Sequence, residues 1–146
     1  MVDRYEEQWA RIKAVVGDSD DLSLRQGVER YYGHLKASLR LPCDVTGTED
    51  LNWEELYILG LRSQKEYAQL RKTQPSYRDT FVLLAIEKDV ASKWMLFAGD
   101  DLAARVRCKS DAKEFLLGLS EIEAVDKKSL NCQLLDDFSV WFANSR

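Results

Sequence analysis

The stretch from Leu41 to Leu61 combines five carboxylates with no lysine, arginine or histidine. The five acids are Asp44, Glu49, Asp50, Glu54 and Glu55. Acids and bases nearly balance elsewhere, so this stretch accounts for the net charge of −4. Carboxylates this close in sequence repel one another. Such a stretch is either well solvated or binds a cation.

The oxygen atoms of this stretch favour calcium among the cations. Calcium takes about 6–8 oxygen ligands, whereas magnesium needs only one or two carboxylates and otherwise keeps its water. Thr46, Thr48 and Asn52 add side-chain oxygens, and Gly47 lets the backbone turn its carbonyl groups inward. Thiolate and imidazole, which transition metals prefer, are nearly absent. Trp53 is expected to anchor the segment to the core, which would hold the carboxylates together.

The spacing of the acids partly matches an EF-hand loop, in which a glycine at the sixth position makes the sharp turn. With Asp44 at the first position, Glu55 falls at the twelfth, but the sixth is Glu49. The flanking segments predict a helix that ends at Pro42 and then a strand, not two helices. An EF-hand is therefore not expected. A solvated acidic loop without a metal is the alternative to a calcium site.

The first forty residues predict a helical hairpin. Apolar residues at helical spacing predict an amphipathic helix over residues 3–16, which Gly17 and the polar residues 18–21 would end. Ser23 is a candidate N-cap for a second helix, which Pro42 would end. The apolar stripes of both helices need a partner surface, either the rest of the chain or a second copy of the protein.

The remainder of the chain has the patterns of several short strands and one short helix. The helix is expected over residues 63–72. The strand-like segments are, in chain order, 55–59, 80–86, 94–97 (a strand or a buried turn), 102–108, 113–117, 119–125 (a strand or a single helical turn) and 139–142. Short strands at close spacing favour a small, strongly bent, SH3-like antiparallel sheet or barrel. We therefore predict an α+β fold with a helical extension (1–40) and a β-rich domain with the acidic loop (41–146), together forming one compact unit.

Further acids outside the stretch could contribute to a cation site. Asp100 and Asp101 could form a second site or complete the first, although a solvated turn is the alternative interpretation. The same alternatives apply to the pair at residues 136–137. Glu121, Glu123 and Asp126 have the same alternatives, and Lys127 and Lys128 are close enough in sequence to neutralise them.

Several observations argue against other classes of protein. No apolar run approaches the ~20 residues that span a bilayer, and the charged N-terminus lacks an apolar signal core, so we expect a cytoplasmic protein. The acidic pI of about 5.1 gives no reason to expect nucleic-acid binding. The three cysteines are far apart in the sequence and are interpreted as buried thiols. His34 is the only histidine, and no nucleophile or phosphate-loop motif occurs, so no enzyme is expected.

The acidic stretch also carries a family resemblance. Residues 42–50, followed by Trp53, Glu54 and Glu55, resemble a motif of a small bacterial family of calcium-binding proteins, the CcbP-like family of cyanobacteria. The resemblance continues through segments of the rest of the chain, which are residues 65–67, 75–77, 79–81, 121–126 and 131–141. It covers about residues 41–146, and the helical extension (1–40) departs from the family.

This resemblance implies a bacterial calcium-binding protein without EF-hands, acting as a buffer or a sensor. By residue, it implies that Asp44, Glu49, Asp50 and Glu54 are the preferred ligands of Ca²⁺. Glu55 is a further candidate, at the start of a predicted strand.

Two functional hypotheses follow from the sequence. The first is a cytoplasmic, non-enzymatic protein that binds calcium through the acidic loop at residues 44–55. The second is an SH3-like protein-interaction module without a metal, in which the helical hairpin forms a homodimer or docks a protein partner. In that case the acidic loop would recognise a basic partner.

Overall fold

The computed structural model describes residues 3–18 and 21–146. The predictions that concern Met1 and Val2 lie outside the described residues. So do the predictions for Ser19 and Asp20, which belong to the polar segment expected to end the first helix. The described residues form five α-helices, which are α1 (Arg4–Val16), α2 (Leu24–Ser38), α3 (Glu55–Ile58), α4 (Gln64–Leu70) and α5 (Leu130–Ser145). They also form five strands, which are β1 (Cys43–Gly47), β2 (Thr80–Glu87), β3 (Ala103–Cys108), β4 (Glu114–Gly118) and β5 (Ile122–Ala124). A single 3-10 turn (Leu119–Glu121) connects β4 to β5.

The two N-terminal helices begin and end close to where local sequence signals place them. Ser23 caps α2 through a capping box, in which its Oγ accepts from Gln26 N at 3.1 Å and Gln26 Oε1 accepts from Ser23 N at 2.9 Å. Gly17 ends α1 with a φ of 87°, which a glycine adopts without steric cost. The predicted helices are confirmed, although α2 ends at Ser38 and not at Pro42.

The five strands form one antiparallel sheet in the order β4-β3-β2-β1-β5. Strand β1 lies inside the sheet, where Val45 pairs with Phe81 on one side and with Ala124 on the other. The register between β2 and β3 shifts between Leu83 and Ala85. The sheet is open, with β4 and β5 at its edges, so it does not close into a barrel. The predicted α+β class is confirmed, whereas the SH3-like description stays a prediction.

Three segments differ from the sequence prediction. Residues 55–59 are not a strand, because 55–58 form α3 and only Tyr57 of that helix is buried. Residues 139–142 do not close the sheet, because they lie within α5, where inward-facing residues recur every three or four positions. The first part of the acidic loop is strand β1, whose central Val45 is buried between more exposed neighbours. Short apolar runs do not distinguish strands from buried helices, which explains the first two errors.

The N-terminal helices share a single hydrophobic core with the sheet and α5. Ile12 and Leu35 are completely buried in the same cluster as Val45 and Phe138. Tyr31 packs edge-on against Phe138, with 5.3 Å between ring centroids. The apolar stripes of the hairpin are thus covered by the rest of the chain, and the division at residue 40 stays a prediction. No helix within residues 3–18 and 21–146 is long and apolar enough to cross a membrane.

Candidate metal centre

The acidic stretch leaves the sheet at the end of β1, where backbone contacts fix its direction. Gly47 N donates to Tyr77 O at 3.1 Å, and a side-chain carbon on Gly47 would lie 2.7 Å from the Tyr77 Cα atom. Thr48 N donates to Glu121 O at 2.9 Å, and the Thr48 hydroxyl bonds the same oxygen at 3.2 Å. The bend at residues 48–50 is therefore attached to the 3-10 turn that precedes β5.

This attachment brings three carboxylates to one cleft. Glu49 and Asp50 from the acidic stretch and Glu121 from the 3-10 turn line a cleft of about 210 Å³. Hydroxyl groups from three further residues also line it, which are Thr48, Ser120 and Ser139. Arg146 also lines the cleft, and its guanidinium carbon is 3.8 Å from the centre of the Phe97 ring. The cleft therefore combines acidic and hydroxyl-bearing residues with one arginine and with apolar residues such as Leu96, Phe97 and Phe142.

Glu121 is the most firmly held of the three carboxylates. Its Oε2 accepts a hydrogen bond from Leu96 N at 3.1 Å. Burial raises the pKa of Glu121 above its ordinary value, and the bonds from the Leu96 and Gly118 backbone partly offset this. The expected neutralisation by a lysine is confirmed for Glu123, which pairs with Lys127 Nζ at 2.9 Å, whereas Glu121 is held by the backbone.

Asp101 lies buried behind Glu121. A side-chain carbon on Gly118 would lie 2.2 Å from Glu121 Oε2 and 2.7 Å from Asp101 Oδ2, so both carboxylates approach the same glycine. Asp101 Oδ2 accepts from the Ser120 hydroxyl at 2.6 Å and from Ser120 N at 3.2 Å. Burial, and then the charge of Glu121, raise the pKa of Asp101 to about 7. The solvated-turn interpretation is therefore wrong for Asp101, although Asp100 is exposed.

The other acids of the stretch lie outside this cleft. Asp44 projects from β1 and pairs with Lys109 Nζ at 2.9 Å. Glu55 is exposed at the first position of α3, where an acid favours the positive end of the helix. Farther away, Asp137 on α5 is buried and pairs with Arg11 Nε at 2.8 Å. The five sequence-predicted ligands are thus not all brought together.

Glu54 is completely buried and its two oxygens accept four hydrogen bonds. Oε1 accepts from the backbone N–H groups of Leu51 and Tyr77 at 3.1 and 2.9 Å. Oε2 accepts from the hydroxyl groups of Tyr67 and Ser76 at 2.5 and 2.7 Å. Glu54 therefore joins the bend to α4 and to the segment before β2.

Trp53 contributes to the same junction. Its Nε1 donates to Pro75 O at 2.6 Å, and its ring stacks on Tyr67 with 5.5 Å between centroids. The acidic bend is consequently held at both ends, by Gly47 and Thr48 before it and by Trp53 and Glu54 after it.

The donor chemistry of the cleft suits a hard dication. Calcium accepts carboxylate, hydroxyl, carbonyl and water oxygens in a flexible shell. Within the described ranges, however, no three acidic, histidine or cysteine side chains are close enough together to hold a metal ion. Glu49, Asp50 and Glu121 share a cleft without converging on one point, and Glu49 is exposed on the bend.

Comparison with known proteins gives similarity at the level of the fold. The chain matches no protein-family model and no curated protein sequence. Among solved structures it is similar to CcbP from Anabaena, with 19% identity and a TM-score of 0.57 over 97% of this chain and 94% of that one. A second similar structure is a calcium binding protein in the calcium-binding form, with 20% identity and a TM-score of 0.55 over 99% and 97% of the two chains.

The extent of these matches corrects one expectation. A likeness over 97% of the chain includes the N-terminal helices, so the helical extension (1–40) does not set this chain apart from the similar structure. The sequence resemblance to CcbP is confirmed in the fold. At these identities the likeness establishes the fold alone, so this chain shares its overall fold with both structures.

Proposed function

We propose that this protein is a non-enzymatic calcium-binding protein whose ion binds in the cleft lined by Glu49, Asp50 and Glu121. One observation carries the proposal: two adjacent acids of the acidic stretch line the same cleft as a carboxylate about seventy residues away in sequence, attached by the bonds from Thr48 to Glu121 O. The similar structure that is named as a calcium binding protein in its calcium-binding form supports calcium as the ion.

The proposed ligands differ in how far they must adjust. Glu121 is buried and held by Leu96 N, so it would provide a fixed oxygen. Glu49 and Asp50 lie on a bend that is held only at its ends, so their side chains would turn toward the ion. Hydroxyl groups and water would complete the shell that calcium requires. The bound ion would supply positive charge that relieves the repulsion among the carboxylates.

The remaining sequence-predicted ligands take different places in this proposal. Glu54 would position the bend without touching the ion, because both of its oxygens already accept two hydrogen bonds. Asp44 and Glu55 stay sequence-based predictions as ligands, but they lie outside the cleft, so this proposal gives them no contact with the ion. A sensor role would follow if binding shifted α3, which comes directly after the bend and exposes Leu56 and Ile58. Without such a shift the protein would act as a buffer.

Calorimetric titration of the chelator-treated protein with calcium chloride tests the proposal. We expect saturable heat and a rise in the thermal midpoint, since a ligand that binds only the folded state stabilises it. Magnesium at the same concentration should give a smaller effect, because it keeps most of its water. Absence of heat together with an unchanged midpoint at millimolar calcium would refute calcium binding.

Single substitutions locate the site. Asp50→Asn and Glu121→Gln should each weaken calcium binding about tenfold or more, since each removes a charged ligand worth at least ~1.4 kcal/mol. Asp44→Asn and Glu55→Gln are matched controls, because they remove one charge from the same stretch outside the cleft. Equal losses for all four variants would indicate a diffuse electrostatic effect and would argue against this cleft.

A further inference from the structure

Four large apolar side chains are exposed close together in and directly after α3. They are Leu56, Ile58, Leu59 and Leu61, which are 42%, 43%, 64% and 69% exposed, and we call them the α3 patch. Nine large apolar side chains are exposed among the described residues, so nearly half of them lie within six consecutive positions. Exposed apolar residues that are scattered singly need no explanation, whereas a contiguous apolar patch marks a site of interaction.

The end of α3 brings the two ends of the patch together. Leu61 N donates to Leu56 O at 2.9 Å, and Gly60, with a φ of 76°, donates from its N to Tyr57 O at 3.1 Å. These are the two bonds of a Schellman motif, in which the first and last side chains, here Leu56 and Leu61, frequently make an apolar contact. The turn therefore returns Leu61 to the side of Leu56, and the patch is one surface.

The patch lies on a firmly packed base. Tyr57 is the buried residue of α3, and its ring centroid is 6.0 Å from that of Trp53 and 5.5 Å from that of Tyr67. Its hydroxyl donates to Glu66 Oε1 at 2.9 Å, and its carbonyl accepts from Gln64 Nε2 at 2.7 Å. These contacts attach the inner side of α3 to α4, while the outer leucines stay uncovered. A surface that is already ordered loses little conformational entropy when it binds.

The charges beside the patch indicate the kind of partner. Glu55 is exposed directly before the patch, and Glu49 and Asp50 lie on the bend that leads into α3. No base occurs in residues 41–61, and the next one, Arg62, follows the patch. A second copy of the chain would bring the same acids together, and anionic lipid head groups would also be repelled. Basic residues on a partner would complement these acids.

The backbone of α3 favours a helical partner over an extended one. The N–H groups of Leu59, Gly60 and Leu61 all donate to carbonyls within the turn, at 3.0, 3.1 and 2.9 Å. The strand that precedes the bend, β1, lies inside the sheet and offers no free edge. An added strand binds through backbone hydrogen bonds, whereas a helix satisfies its own backbone and binds through its side chains.

We propose that the α3 patch docks the apolar face of an amphipathic helix of a partner protein, with lysine or arginine residues of that helix beside Glu55. The patch shares no residue with the lining of the calcium cleft. Docking is tested in a chelator, so this proposal and the calcium proposal can fail separately.

The probe is a peptide of leucine and lysine with blocked ends and leucine at helical spacing, about 15 residues long because shorter isolated helices are marginal in water. Amide correlation spectra of the ¹⁵N-labelled full chain should show saturable shifts centred on residues 55–61. A peptide with glutamate in place of lysine should bind at least about tenfold more weakly, which corresponds to ~1.4 kcal/mol. A peptide of the same composition with leucine out of helical register should also bind more weakly. No saturable shift with the first peptide, or equal binding of either control peptide, would overturn the proposal.

Substitutions in the patch separate docking from non-specific binding. Leu59→Ser combined with Leu61→Ser should abolish the shifts, and both residues are so exposed that the fold should be retained. Val125→Ser combined with Leu130→Ser is the matched control, because these two residues are exposed and apolar but lie away from α3. Shifts that survive the first pair of changes, or that both pairs remove equally, would contradict docking at α3.

The charge of Glu55 is tested by a change that leaves the apolar patch intact. Glu55→Gln should weaken binding of the leucine–lysine peptide about threefold, a typical effect of one exposed ion pair. Glu114→Gln, at an exposed acid of β4, should leave it unchanged. Equal effects of the two changes would show attraction by net charge alone and would contradict the proposal.

A membrane and a second copy of the chain are the other possible occupants. Sedimentation with vesicles of phosphatidylcholine and phosphatidylglycerol should carry down no protein, and light scattering should show a monomer. Vesicle binding or a dimer that is lost on combining Leu59→Ser with Leu61→Ser would assign the patch to that occupant and overturn the proposal.

Discussion

Glu54 differs from the other acids of its stretch because the protein surrounds it with donors. The hydroxyl groups of Tyr67 and Ser76 and two backbone N–H groups approach its carboxylate, and no solvent reaches it. Charge-assisted hydrogen bonds of this kind are among the stronger ones in proteins. A residue with this environment contributes to the structure of the bend whether or not a cation is present.

Replacing Glu54 with alanine should therefore destabilise the calcium-free protein. We expect a loss of about 3–5 kcal/mol, since each buried donor left unpaired costs about 1–3 kcal/mol. Glu54→Gln should cost less because it retains an acceptor oxygen. Chemical denaturation in a chelator measures the effect, and Glu55→Ala is the exposed control. Similar stability of the two alanine variants would show that the network around Glu54 is not needed for folding.

Asp101 makes the stability of the protein depend on pH. Its pKa rises from 3.8 to about 7 in the folded state, mainly through burial. Between these values the folded protein keeps a proton that the unfolded chain releases, so stability falls as pH rises through this window. Asp101→Asn should flatten this dependence and raise stability above pH 7 by up to about 4 kcal/mol.

Urea denaturation at several pH values between 4 and 8, in a chelator, measures this effect. Asp100→Asn is the control, because it changes the same charge at an exposed neighbour. If the curves for Asp101→Asn and the unsubstituted protein ran parallel across the window, Asp101 would not be the titrating group.

At the scale of elements, the packing of α2 against α5 depends on one glycine. A side-chain carbon on Gly27 would lie 2.1 Å from Trp141 Cζ2, which is far inside the contact distance. Gly33 lies on the same helix and has no neighbour within 4 Å of that position. The two glycines therefore separate the effect of packing from the effect of helix propensity.

Alanine should have opposite effects at these two positions. Gly27→Ala should destabilise the protein by about 1–3 kcal/mol, because the indole or the helix must move. Gly33→Ala should stabilise it by about 0.5–1 kcal/mol through helix propensity alone. Thermal or chemical denaturation of both variants measures this. Stabilisation by Gly27→Ala would mean that α2 and α5 are not in close contact in solution.

The same elements show why some of the fold could be predicted from the sequence. Helices α1, α2 and α4 have local signals, since their apolar periodicity is clear and Asp3, Ser23 and Ser63 respectively cap them. Residues 55–59 and 139–142, which the sequence predicts as strands, fall in the regions of α3 and α5 because short apolar runs fit either structure. Strand β1 was missed because its ladder partners, β2 and β5, are distant in sequence.

The candidate site also has residues that could be predicted from the sequence and residues that could not. Glu49 and Asp50 are recognisable from local composition, because they lie in a stretch without bases. The sequence does not single out Glu121 from Glu123 and Asp126, because its place in the cleft depends on the pairing of Thr48 with the 3-10 turn, which joins segments that are distant in sequence. The burial of Glu54 and Asp101 likewise arises from tertiary packing that no local pattern encodes.

At the scale of the whole molecule, the N-terminal helices complete the core. Tyr31 of α2 packs against Phe138 and Trp141 of α5, with ring centroids 5.3 and 5.4 Å apart. Ile12 and Leu35 are completely buried in the same cluster. Without residues 1–40, one side of α5 would expose several large apolar side chains to water, at about 25 cal/mol for each Å² exposed.

We therefore expect the fragment 41–146 not to fold on its own. It should lack the near-ultraviolet circular dichroism of packed aromatic rings and should unfold without a sharp transition, whereas the full chain should unfold in one step. Size-exclusion chromatography with light scattering should accompany these measurements, since an exposed α5 face would also cause association. A monomeric fragment with a sharp thermal transition would instead establish residues 41–146 as an independent domain, with the helical extension (1–40) added to a core that is already complete.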